Sequence, residues 1–148
     1  MNLMKKFVLP VLVMVTGLGV YANAQAKKPA MKKVRVFFME PKNGAMVSSP
    51  VHMKFGAEGI EIGAVPAGDV TTARPGIGHY HVGVGVSCLP AGKMIVKGTP
   101  SWIHFGDGKS EIDMQLTPGK HRLALQIGDD LHNTLPNTCS MITVTVKP

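Results

Sequence analysis

Apolar residues along this chain recur mostly at every second position, in short runs broken by Gly, Pro, Asn and Asp. Ile112, Met114 and Leu116 alternate with Glu111, Asp113 and Gln115. Leu123, Leu125 and Ile127 share one side of the run from His121 to Ile127, and Ile142, Val144 and Val146 do the same near the C-terminus. A period of two is the signature of strands, whose successive side chains point to opposite faces. The spacing predicts further strands at Val34–Met39, Val51–Phe55, Lys93–Lys97 and Ser101–Phe105. Turn signals close them at Pro41-Lys-Asn-Gly44, Gly106-Asp-Gly108 and Pro118-Gly119. A Gly/Pro/Thr-rich loop is expected from Gly63 to Gly78 and a polar one from Gly128 to Asn137.

Seven or eight short strands with one apolar face each predict an all-β chain, a single immunoglobulin-like antiparallel β-sandwich. The stretch Leu116-Thr-Pro-Gly-Lys-His121 has the form of the corner between the fifth and sixth strands. His121 stands where such sandwiches often place a tyrosine, so a structural role bonding backbone is expected for it. Trp102 is expected to be a structural core or edge anchor. Met39 and Met114 sit at strand positions that suit core filling.

The N-terminus breaks the strand pattern. Lys5 and Lys6 precede an apolar run from Phe7 to Val20, and small residues follow at Ala22-Asn-Ala24 and Ala24-Gln-Ala26. This order predicts a secretory signal peptide over residues 1–26, a sandwich domain over 27–148, and a periplasmic or secreted protein that is not integral to the membrane after cleavage. Taking Lys5 and Lys6 from sixteen basic residues leaves fourteen against nine acidic ones, a net charge of +5. That charge is spread thinly and has no aromatic interleaving, so no nucleic-acid surface is expected.

Cys88 and Cys139 remain in the exported chain, and in that compartment the default is one disulfide, contributing about 4 kcal/mol in the chain-entropy model. A simple topology nevertheless puts the two cysteines at opposite poles, whereas a bridge needs Cα atoms within about 7 Å. Either the strand from His79 ends early and its loop doubles back, or one cysteine is free.

The stretch Gly78-His-Tyr-His-Val-Gly-Val-Gly-Val86 carries the candidate chemistry. On a strand, His79 and His81 share one face and Tyr80, Val82 and Val84 the other, so core packing does not demand the histidines. In an immunoglobulin-like fold the loops after the second, fourth and sixth strands share one end. That places His104 and Asp107, together with Asp129, Asp130 and His132, at the pole where His79 and His81 begin the third strand. His79, His81, His104, His132 and Asp107 are therefore candidate metal ligands, with copper or zinc as the ion that imidazole suits. The alternative is that the histidines order the loops without a metal, and that the sandwich binds a protein, peptide or glycan through them. His52 is expected to be an exposed strand residue. Blue-copper chemistry is excluded because Cys139 has no histidine shortly downstream. No Gly-x-Ser-x-Gly or His-Glu-x-x-His motif is present, and the expectation is a binding domain, not an enzyme.

Several segments resemble one family in order along the chain: Pro41 to Gly56, the Gly-His-Tyr-His of residues 78–81, Ile103 to Glu111, Leu116 to Asp129 and Ser140 to Val146. The family is the exported bacterial one known as domain of unknown function 4399. The resemblance implies a small envelope β-domain with recurrent histidines, and carries no activity with it. Family members often have further histidines beside the Gly-His-Tyr-His position and after Gly-Asp. Tyr80 and the run from Asp130 to Pro136 depart from that richer pattern.

Overall fold

The computed structural model describes residues 33–148. The predicted signal peptide lies outside the described residues. The strands are β1 (Arg35–Glu40), β2 (Met46–Val47), β3 (Val51–Glu58), β4 (Glu61–Ile62), β5 (Ile77–Val84), β6 (Trp102–His104), β7 (Glu111–Met114), β8 (Gly119–Gly128) and β9 (Thr134–Val146). They form two sheets. The smaller has the order β1-β3-β7; the larger runs β2-β9-β8-β5-β4, with β6 also on β5. Apart from the short parallel pairings of β2 with β9 and β4 with β5, every pairing is antiparallel. The all-β sandwich and its immunoglobulin-like strand order match the alternation in the sequence.

The alternating apolar residues meet between the sheets. Val36, Phe38, Val51, Met53, Phe55 and Met114 from the smaller sheet face Tyr80, Val82, Leu123, Leu125, Ile127, Ile142, Val144 and Val146 from the larger. Phe55 sits at the centre of an aromatic cluster, its ring centroid 5.3 Å from Tyr80 and 5.5 Å from Phe105. Strand register therefore commits the other face of β5 and β8 to the outside of the sandwich.

That outer face is not left to solvent. After β5 the chain doubles back as an irregular segment, residues 85–98, which covers it. Ile95 and Trp102 pack on Ala124 there, with Val86, Cys88 and Leu89 beside them. Trp102 is thus an anchor of this second cluster. The doubling back also resolves the cysteine geometry: Cys88 and Cys139 are bonded, with Cα atoms 5.9 Å apart. Gln126 ties the same segment down, accepting from Leu89 N–H at 2.9 Å and donating to Leu89 C=O at 2.8 Å.

Three local expectations are corrected. Residues 93–97 do not form a strand; Met94 makes only an isolated bridge with Asn133, because the segment serves as a cover and not as a sheet member. The loop after Gly128 ends early, since β9 already begins at Thr134. Met39 is 41% exposed, on the outer face of β1, whereas Met114 is buried. Among the described residues no helix is long and apolar enough to cross a membrane.

Candidate metal centre

His79 and His81 project from the outer face of β5, where residues 85–98 and the turn after β8 enclose them. Both are fully buried. His104 lies directly across the ladder from His81, because β6 pairs with β5 in the register His81↔His104. His132 comes from the tight turn between β8 and β9 and is 7% exposed. One candidate ligand atom from each of the four rings lies within 4.8 Å of all the others. The six distances between ring centroids run only from 4.5 to 5.6 Å.

The backbone is shaped around these rings. His132 adopts φ 67°, the left-handed region that costs a non-glycine residue about 1–3 kcal/mol. Asp129 holds that turn: its Oδ1 accepts from Leu131 N–H and Asn133 N–H, each at 2.9 Å, and its carbonyl accepts from His132 N–H at 2.8 Å. The carbonyl of His132 in turn accepts from Ile95 N–H at 2.9 Å, which links the turn to the covering segment. Two glycines leave room for imidazoles. A Cβ at Gly128 would stand 2.8 Å from Cε1 of His81, and one at Gly106 would collide with the ring of His104.

The polar accounting of the cluster is incomplete. Nδ1 of His79 and both ring nitrogens of His81 are buried without a partner. Nε2 of His104 faces Nε2 of His79 at 3.1 Å and Nε2 of His132 at 2.9 Å. A single imidazole nitrogen either carries a proton or offers a lone pair, so it cannot donate to one neighbour while accepting from the other. Each buried polar group without a bond costs about 1–3 kcal/mol, a large fraction of a small domain's stability. A cation among the four rings would use the lone pairs that the protein leaves idle.

Electrostatics keeps those lone pairs available. Burial, reinforced by the neighbouring His104 and His132, pushes the pKa of His79 down to about 3. Burial, with His79 next, pushes that of His81 down to about 2. Burial also lowers His104 and His132. All four rings are therefore neutral near pH 7, the state a metal ligand requires.

Asp130 supplies the adjacent negative charge. Its side chain is 1% exposed and is gripped by Arg74, whose guanidinium donates to both carboxylate oxygens at 2.8 and 2.9 Å while its backbone N–H donates at 2.9 Å. Those hydrogen bonds hold the carboxyl down at about 2. Arg74 also donates to Ala64 C=O at 2.7 Å, so the ion pair pins the Gly/Pro-rich loop beside the cluster. Sequence reasoning did not connect Arg74, Gly106 or Gly128 with the histidines. For Arg74 the available signal was an arginine inside a Gly/Pro-rich loop, and it has no fixed spacing from its partner.

The remaining predicted site residues fall as follows. Asp107 does not join the histidines: its carboxylate bonds Lys109, to N–H at 3.0 Å and to Nζ at 2.8 Å, which is turn chemistry. His121 bonds Thr117 C=O at 2.7 Å, the corner role expected of it. His52 pairs with Asp113 at 2.9 Å on the exposed face of β3. The four imidazoles converge as expected, but by another route. His104 lies in the strand expected over Ser101–Phe105, but that strand, β6, joins the larger sheet, and the cluster lies on the outer face of that sheet and not at a pole of the sandwich.

A family model described as a domain of unknown function (DUF4399) matches residues 53–147. That span includes all four clustered histidines and both cysteines, and the chain belongs to that family. No curated protein matches the chain.

Proposed function

We propose that this member of the family is an exported, metal-binding β-sandwich whose four-histidine cluster holds one transition-metal ion, copper or zinc. The observation that carries the reading is a set of four neutral, enclosed imidazoles in which three ring nitrogens of His79 and His81 lack any partner and the Nε2 atoms of His79, His104 and His132 meet only one another. Imidazole orders of preference favour copper, zinc and nickel over hard cations such as magnesium or calcium. The protein's own residues do the positioning: β5 and β6 set His79, His81 and His104 by register, and the Asp129 turn aims His132. Export follows from the order of charged, apolar and small residues in 1–26 and is consistent with the Cys88–Cys139 bond. The domain holds its ligand and does no chemistry on it, since four protein donors leave no position for a substrate.

The test is elemental analysis of untagged protein purified from its native host, followed by zinc and copper titration of the chelator-treated form. About one equivalent of metal, bound by wild type and lost when His79 and His81 are both alanine, is the expected result. Absence of binding by wild type returns the histidines to loop ordering. The second reading, a metal-free sandwich that docks a partner, has one observation in its favour. Met94 and Val96, 59% and 61% exposed, stand on the covering segment beside His132.

A further inference from the structure

Resting on the metal-binding reading, we infer that the site selects zinc(II) over copper(II), because the four rings surround a point as a tetrahedron and not as a square. A square of four ligands has two diagonals about 1.4 times its edges, so four short distances would be accompanied by two distinctly long ones. Here the shortest centroid separation is 4.5 Å and the longest 5.6 Å, a ratio well below that value. The two longest, 5.2 and 5.6 Å, both involve His81, whereas the two diagonals of a square share no corner. The arrangement also has the right size. Four imidazoles bound tetrahedrally at about 2.0–2.1 Å through a ring nitrogen put their centroids about 5 Å apart.

The scaffold resists flattening. His79 and His81 are fixed two residues apart on β5, and His104 is locked opposite His81 by the ladder. His79 and His81 are fully buried and the ring of His81 lies against Gly128, so packing leaves little room for the side-chain rotations that would bring the four rings into one plane. Zinc(II), with a filled d shell, accepts the tetrahedron without penalty, whereas copper(II) and nickel(II) favour tetragonal geometry. The four donors include no thiolate or thioether, so the softer copper(I) gains none of the ligands it favours. Selectivity here comes from shape and opposes the affinity order that puts copper(II) above zinc(II) for unconstrained nitrogen ligands.

Cobalt(II) reports the geometry directly in the untagged, full mature protein. The expected result is a visible d–d absorption at least about tenfold more intense than that of six-coordinate cobalt, as four-coordinate geometry produces. One equivalent of zinc(II) should bleach it, and copper(II) added at the same concentration should fail to displace that zinc. A weak six-coordinate cobalt spectrum overturns the inference while leaving metal binding intact. So does displacement of zinc by copper(II) with the axial paramagnetic resonance spectrum of a square-planar site. If neither cobalt nor zinc binds, both this inference and the reading beneath it fall.

Discussion

The six histidines of this chain divide into two populations that obey different rules. His52 and His121 are each satisfied by one nearby protein group, Asp113 and Thr117 C=O. His79, His81, His104 and His132 face chiefly one another, in an enclosure that suppresses their protonation. The first pair can be explained by folding alone. The second group burdens the fold with desolvated nitrogens and a strained backbone at His132, and such a burden persists where a ligand or a task repays it. Number of histidines says nothing here; the absence of ordinary partners says much.

The difference should be sharpest when metal is added. At a free zinc concentration a hundred times the dissociation constant, wild type should gain about 2.7 kcal/mol, a rise of about 10 °C in melting temperature. The His79→Ala/His81→Ala variant should show no rise and a loss of affinity of more than about a thousandfold. An equal rise in both proteins would erase the distinction between the two populations.

Acid should separate them next. In metal-free protein, His79 and His81 have folded pKa values of about 3 and 2, below the unfolded value of about 6.5. As pH falls below 6.5 the unfolded chain takes up protons that the folded chain refuses, so stability is full above that point and declines beneath it. The two rings together should cost about 4 kcal/mol between pH 7 and pH 5. Urea unfolding at the two pH values measures this, and a decline as steep in the double alanine variant would assign it elsewhere.

Smaller effects probe the space and strain around the rings. Gly128→Ala should destabilise by about 1–3 kcal/mol, since its Cβ enters the room of His81; denaturant midpoints read this. His132→Gly relieves the left-handed backbone and should leave metal-free stability within about 1 kcal/mol of wild type, while calorimetric titration shows zinc affinity sharply reduced. The smallest effect belongs to the other population. His52→Ala removes an exposed pair and should change stability by less than about 0.5 kcal/mol, with zinc binding unaltered.

Much of this was legible in the sequence because it was periodic or local. Alternation along Glu111–Leu116 and His121–Ile127 marked strands, and the two-residue spacing of His79 and His81 put both on the face opposite Tyr80 and Val82. The cysteine pair was legible from the expected export, while its geometric conflict left two outcomes open, a loop that doubles back or a free cysteine, and the structure shows the first. Strand partnership was not legible: the strand expected over Ser101–Phe105 gave no sign that it pairs with β5, so His104 reached the cluster by an unforeseen pairing. Gly106 carried a turn signal that concealed its second use, leaving room for a ring. Arg74 and Asp130, 56 residues apart, meet only because the sandwich folds. Met39 misled because strand alternation shows that a face exists, but not that another layer covers it.

The Cys88–Cys139 bond has a consequence for assembly of the centre. His79 and His81 lie nine and seven residues before Cys88, His104 lies within the closed loop, and His132 lies seven before Cys139. In the oxidised but still unfolded chain, the bridge already brings the His-x-His end and the His132 end onto short tethers from one point. Their effective concentration for each other is then set by tethers of under ten residues instead of a span of more than fifty. Oxidation thus turns a long-range encounter among these histidines into a nearly local one.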